Sequence, residues 1–249
     1  MRLTDEQVAK YHADGFLVIG RLVDDGTLDK LRAAYEDLLD GRVTSPEDRL
    51  LGGATRQILN PSNVHPVFDS NPAVDAATEI MDQLWGPSIR TYDTLIYKPP
   101  GHPHAMPWHQ DEAYSATPVA EAGRPIGLGE AIQFWVALDD ADVENGCMHF
   151  VPGYHRGILL EHRVNSGAPD DPTRELAMVD PERDLDLSKV VAAPIPAGWA
   201  TMHSAGTPHF TPPNRSADRR RRAYIFNLAP LTMVERILEI VAAQSLTKD

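Results

Sequence analysis

The run SIRTYDTLIYKPPG, residues 88–101, is where the grammar of this chain changes. Up to Lys98 it is rich in β-branched and aromatic side chains, and Pro99-Pro100-Gly101 closes it as a turn, so it reads as a strand. Similar short runs follow it: AIQFWVAL (131–138), CMHFV (147–151), VVAAPI (190–195), GWATMH (198–203) and RAYIFNL (222–228). Asn145-Gly146 and Pro152-Gly153 punctuate them. Strands that succeed one another without helices between them favour an antiparallel barrel or jelly roll over an α/β sheet.

Before residue 88 the pattern is mostly helical. Thr4 with Gln7 three positions on makes a capping box, and Leu3 and Val8 sit where a hydrophobic staple would. That helix runs to Gly15, and FLVIGRLV (16–23) follows as a short strand. In DDGTLDKLRAAYEDLLDG (24–41), Leu28, Leu31, Tyr35 and Leu38 share one helical face and Gly41 supplies the stop. A third helix starts at Asn71-Pro72 and ends at Gly86-Pro87, and a C-terminal helix is expected with Thr232 and Glu235 at its cap. The expectation is one domain over residues 1–249, mainly β with flanking helices: a helical N-terminal third packed on a jelly-roll core from about residue 88. Residues 161–188 are polar, with prolines and five aspartates between 170 and 186, and a loop of that length suggests a lid.

Composition narrows the function classes. With 42% apolar and 24% charged residues the chain is ordinary globular protein. A net charge of -13 argues against a nucleic-acid partner, because a polyanion would meet a repulsive field. The single cysteine, Cys147, excludes an intramolecular disulfide and reads as a buried, unreactive thiol. Neither an export signal nor a membrane-length apolar run is present, which points to the cytoplasm and to a small-molecule substrate, with the oligomeric state open.

The chemistry concentrates in MPWHQDEAY, residues 106–114. In a strand, residues i and i+2 project to one face, so His109 and Asp111 aim an imidazole and a carboxylate at one point. A 2-His-1-carboxylate triad needs one further histidine from a distant strand. His203 and His209 are the candidates, and spacing alone does not choose between them. After His209 come Asn214, Arg215 and the run Arg219 to Arg222. Guanidinium pairs bidentately with carboxylate, so an arginine here suits the far end of a dicarboxylic acid held on the metal.

These motifs resemble the phytanoyl-CoA dioxygenase family of Fe(II)- and 2-oxoglutarate-dependent oxygenases over most of the chain. The opening LTDEQVAKYHADGFLVIGRLVD, then YKPPG, WHQD, FWVALDDADVENGCMHFVPGYHRG and H-x4-N-x5-R occur in that family's order. The resemblance implies a double-stranded β-helix, the cupin-like form of jelly roll, and the cofactor set Fe(II), 2-oxoglutarate and O2. It implies His109, Asp111 and His209 as metal ligands, and Arg220 as partner of the 2-oxoglutarate C5 carboxylate, with Arg222 on the same strand face as the fallback. Trp135 and Thr94 fall where that family lines the cosubstrate pocket, and Gln133 is a further candidate for the wall. The implied reaction is hydroxylation of a C–H bond of a small metabolite or natural-product intermediate, with release of succinate and CO2.

The chain also departs from the family pattern. It carries Gly198-Trp199 where many relatives have Gly-Asp, and His209-Phe210-Thr211 where they have His-Gly-Ser, so Phe210 is expected to narrow the pocket. Asp111 is present where related halogenases have a small residue, which argues against halogenation. His203 is expected beside the site rather than on the metal, His149 and His155 as structural or substrate-facing, and His102 and His104 as solvated. Two rival functions remain: a metal-binding jelly roll without oxygenase activity, which needs no Arg220, and a zinc hydrolase. The hydrolase needs a general base, for which Glu112 points to the wrong strand face.

Overall fold

The fold was established from a computed structural model that describes residues 1–115, 119–167 and 174–246, with side chains through residue 239. The N-terminal helix α1 (Asp5–Asp14) is opened by Thr4 and Gln7, whose side chains each cap the other's backbone, and closed by Gly15 in the left-handed conformation at φ 84°. Strand β1 (Phe16–Arg21) leads to α2 (Asp25–Leu39), which buries Leu28, Leu31, Ala34, Tyr35 and Leu38. A hairpin of β2 (Asp48–Leu51) and β3 (Thr55–Leu59) follows, then the one-turn α3 (Pro66–Asp69) and α4 (Pro72–Leu84), capped by Asn71. The hairpin is not visible in the helical reading of the first third. Its strands are short, and its turn is built from Gly52 and Gly53, both at positive φ.

The remaining strands are β4 (Ser88–Lys98), β5 (Met106–His109), β6 (Ile132–Ala137), β7 (Met148–Phe150), β8 (His162–Val164), β9 (Leu176–Met178), β10 (Val191–Ala193), β11 (Trp199–Ser204), β12 (His209–Thr211) and β13 (Arg221–Pro230). A turn of helix, α5 (Pro181–Asp184), lies between β9 and β10. Among the described residues these strands form an antiparallel seven-stranded sheet β1-β11-β6-β13-β4-β3-β2 and a four-stranded sheet β10-β7-β12-β5. The small pair β8-β9 is hydrogen-bonded to neither, and β9 packs beside β5. The chain is therefore mostly antiparallel sheet with a few helices, a jelly roll that does not close into a barrel. No helix among the described residues is long and apolar enough to cross a membrane.

Alternation along the strands gives the large sheet two different faces. Ile132, Phe134 and Val136 of β6, Ala200 and Met202 of β11, and Tyr224, Phe226 and Leu228 of β13 pack with α2, α3 and α4 in the main core. Trp135, Ala137, Ala223 and Ile225 face the other way, against Met148 and Phe150 of the small sheet, where Phe16 stacks on Phe150 at 4.4 Å. Functional side chains occupy this inner layer.

Three expectations shift. The C-terminal helix α6 (Leu231–Leu246) begins directly from β13, so Thr232 lies inside its first turn rather than at a cap. Strand β5 stops at His109, and Asp111 opens a 3₁₀ turn over Asp111–Ser115 instead of continuing the strand. The span 161–188 carries β8, β9 and α5, with its residues 168–173 outside the described residues, and so is less of a bare loop than its composition suggests.

Candidate metal centre and cosubstrate pocket

Strand register sets the site out in rows. Across the inner face, Tyr92 of β4 stands opposite Asn227 of β13, Asn227 opposite Gln133 of β6, and Gln133 opposite His203 of β11. The next row is Thr94, Ile225, Trp135 and Thr201, and a further one pairs Lys98 with Arg221. Facing these rows, β12 of the small sheet brings His209 opposite His109 of β5.

His109, Asp111 and His209 each present one ligand atom, all within 4.8 Å of one another. The Nε2 atoms of both histidines lie 3.7 Å from Asp111 Oδ1, and their rings are 4.1 Å apart. The tautomers follow from the backbone: His109 Nδ1 donates to the Pro107 carbonyl at 2.8 Å and His209 Nδ1 to that of Thr207 at 2.9 Å. Both Nε2 lone pairs are thereby left free for a metal. Burial holds the His209 ring well below the usual imidazole range, and the neighbouring His109 and His203 act in the same direction, so it stays neutral and able to ligate. Two imidazoles and one carboxylate are the donor set of non-haem iron sites with open positions.

Supports from several elements hold this arrangement. Gln133 Nε2 donates to Asp111 Oδ2 at 2.8 Å, leaving Oδ1 toward the imidazoles. Gln133, expected in the pocket wall, lines the cavity and also orients the carboxylate. His203, fully buried, sits with its Nε2 at 3.4 Å from Asp111 Oδ2 and its ring 4.2 Å from that of His209. Its place beside the triad is the one expected. Between the two ligands, the buried Gln110 donates its side-chain amide to the Gly206 carbonyl and accepts from Leu160 N, while its backbone N–H donates to His162 Nε2. Sequence reading passed over Gln110 and His162. Their sole signal was Gln110's position inside WHQD.

A cavity of about 290 Å³ opens from the triad, and Tyr92, Thr94, Gln133, Trp135, Phe210 and Arg221 are among its lining residues. Thr94 and Trp135 both line it, the Thr94 hydroxyl donating to the Ile58 carbonyl at 3.0 Å. Phe210 does project into the cavity wall, tilted against Trp108 and His149 at 4.5 and 4.8 Å.

The arginine expectation is corrected. Arg220 lies half exposed outside the cavity, with its guanidinium 2.8 Å from Glu36 of α2. Arg222, the fallback, shares that outward face and pairs with Asp139 and Glu36. Arg219 pairs with Asp142 and Glu144. Arg221 is the member that enters. It is 1% exposed, its three guanidinium nitrogens have no hydrogen-bond partner, and it lies 5.4 Å from the Trp135 ring. Burial pulls its pKa down to about 10, which leaves it a cation at neutral pH. Strand alternation was the right rule, but its phase is fixed by the outer apolar residues Tyr224 and Phe226, which place Arg222 outside and Arg221 inside.

Other residues singled out by type fall away from the chemistry. Glu112 is fully buried, accepts from the Gly127 and Leu128 amides at 3.0 and 2.7 Å, and pairs with Arg124 at 2.7 Å. A carboxylate so engaged is no general base for a hydrolase. His102 and His104 are not solvated as expected: His102 contacts Thr55 Oγ1 at 3.0 Å, and His104 contacts the buried Glu175 at 3.0 Å. Cys147 is fully buried, and burial pushes its thiol up to about 11.

Comparison with known proteins agrees with this geometry. The family model described as Phytanoyl-CoA dioxygenase (PhyH) matches residues 11–223. The chain is 24% identical to phytanoyl-CoA dioxygenase domain-containing protein 1 of Danio rerio, over 91% of this chain and 90% of that protein. It is 29% identical to a probable alpha-ketoglutarate-dependent hypophosphite dioxygenase of Stutzerimonas stutzeri, over 68% of this chain and 57% of that protein. Among solved structures, EvdO2 from Micromonospora carbonacea var. aurantiaca, complexed with 2-oxoglutarate, superposes with a TM-score of 0.72 at 28% identity. That match covers 92% of this chain and 91% of EvdO2.

Proposed function

The chain belongs to the phytanoyl-CoA dioxygenase (PhyH) family, and from that premise we propose that it is an Fe(II)- and 2-oxoglutarate-dependent dioxygenase acting on a C–H bond of a small organic substrate. Bound iron would supply the activation of O2, coupled to conversion of 2-oxoglutarate to succinate and CO2. His109, Asp111 and His209 would hold the iron from one side. Gln133 keeps Asp111 Oδ2 engaged so that Oδ1 serves the metal.

The observation that carries the reading is Arg221. A guanidinium buried to 1% with no hydrogen-bond partner is costly unless an anion completes it. It lines the same cavity as the triad, with Trp135 and Thr94 between. A dicarboxylate chelating the metal by one end and meeting Arg221 by the other fits both demands. The EvdO2 complex with 2-oxoglutarate supports that cosubstrate here. The apolar and aromatic remainder of the lining, including Ile96, Met106, Met148 and Phe210, suits a substrate with hydrocarbon character and keeps water away from the reacting centre.

Anaerobic titration of the metal-free protein with Fe(II) and then 2-oxoglutarate tests this, by following the visible charge-transfer band of the chelate. The band should form in wild type. Arg221→Gln should need about 10- to 100-fold more 2-oxoglutarate, as expected for loss of a charge-assisted contact, whereas Arg220→Gln should stay within about twofold of wild type. Iron binding without any band would overturn the 2-oxoglutarate assignment, and equal effects of the two substitutions would overturn the role given to Arg221.

A further inference from the structure

A second cavity, of about 290 Å³, shares no lining residue with the one at the triad. Tyr11 from α1, Trp85 from the end of α4 and His155 from the segment after β7 contribute to its wall, with Arg156, Glu130 and Arg236 beside them. Tyr11 and His155 are 1% and 5% exposed. The Tyr11 hydroxyl and the Trp85 indole nitrogen are buried without a hydrogen-bond partner, and the His155 ring turns one nitrogen to the His12 backbone. Such atoms are rare singly in folded proteins, and here one cavity collects two donors from separate helices.

The wall is built rather than incidental. Gly15, at φ 84°, caps α1 against the face of His155, and a Cβ on Gly15 would stand 2.5 Å from that ring. A Cβ on Gly206 would meet the His155 carbonyl at 2.6 Å. Only glycines at these places let His155 sit where it does. At the exposed edge, Arg156 Nη2 lies 2.9 Å from His12 Nδ1, and Arg236 pairs with Glu130 at 3.3 Å.

The inventory of groups defines what would complete them. An indole N–H and a guanidinium only donate and a phenol donates readily, while the His155 imidazole, turned by one nitrogen to the His12 backbone, forms the wall. Glu130, the acidic member, already faces Arg236. Donors and positive charge are therefore in excess, and the missing partner is rich in acceptors and negative. We propose that this cavity binds a small oxyanion, a carboxylate or phosphate group, through Tyr11, Trp85 and Arg156. The site owes nothing to the iron centre and stands whether or not the oxygenase reading does.

Calorimetric titration of the full chain with inorganic phosphate and, separately, with acetate tests it in Arg221→Gln, which silences the buried cation of the first cavity, and in the same variant carrying Trp85→Phe or Tyr11→Phe as well. Saturable binding of either anion is expected, and the one that saturates identifies the headgroup chemistry. Adding Trp85→Phe or Tyr11→Phe should each weaken it about fivefold or more, as loss of one hydrogen bond does. Tyr11→Phe removes only an unpaired hydroxyl, so thermal unfolding without anion should be unaltered or raised, which separates lost binding from lost fold. Absence of saturable binding for both anions in Arg221→Gln, or equal binding with and without Trp85→Phe and Tyr11→Phe, would overturn the proposal.

Discussion

His109 and His209 each spend one ring nitrogen on a carbonyl two residues back in the chain, and Asp111 gives one oxygen to Gln133 and keeps the other. Each ligand is aimed by a partner that never touches the metal. Replacing Gln133 by leucine should therefore weaken Fe(II) or Co(II) binding about 10- to 100-fold, the range seen when such orienting partners are lost, with the circular dichroism spectrum unchanged. Competition against a chelator of known affinity measures this, and wild-type affinity in the variant would remove Gln133 from the role. At this scale the clustering of His109, Asp111 and His209 was legible, because their residue types and the WHQD context are distinctive. Gln133 was seen as a wall residue only, since a hydrogen bond across strands leaves no mark in one sequence. Arg221 was hidden among four consecutive arginines, where residue type says nothing and only the facing of Tyr224 and Phe226 decides.

Elements were legible in proportion to their local chemistry. α1 and α4 announced themselves by capping side chains, and most strands by turn residues, but β12 holds three residues and the β2-β3 pairing depends on contacts with β4. The segment 124–130 has no regular structure of its own. It is tied down by Glu112, whose two carboxylate oxygens accept from Gly127 and Leu128 and face Arg124. Glu112→Gln keeps the shape but turns an amide N–H₂ toward one of two backbone donors. A loss of about 2–4 kcal/mol is expected on removing a charge from such a buried arrangement. Urea denaturation measures it, and a loss below about 0.5 kcal/mol would show that other contacts hold the segment. The strand-face reading of Glu112 does not carry over, because the residue lies in the 3₁₀ turn after β5.

For the molecule as a whole, the triad joins β5 and its following turn to β12, segments far apart in sequence, and an ion bound there is linked to the folded state alone. At a metal concentration of 100 times its dissociation constant the added stability is about 2.7 kcal/mol, or roughly 5–10 °C in melting temperature for a domain of this size. Co(II) or Mn(II) should produce that rise by calorimetry, and Asp111→Ala should abolish it. A rise of the same size in the variant would mean that the ion acts elsewhere. The jelly-roll architecture was readable because strands without intervening helices leave few alternatives, whereas the way two sheets meet over a cavity depends on register, which no single strand encodes. That register has a practical consequence. Along β13, Arg222, Tyr224, Phe226 and Leu228 serve the scaffold, and Arg221, Ala223, Ile225 and Asn227 serve the cavity layer. Scaffold and cavity layer are thus written in alternate letters of one strand, and Ile225, which lines the cavity between Arg221 and the triad, is the letter to vary in a search for new substrates.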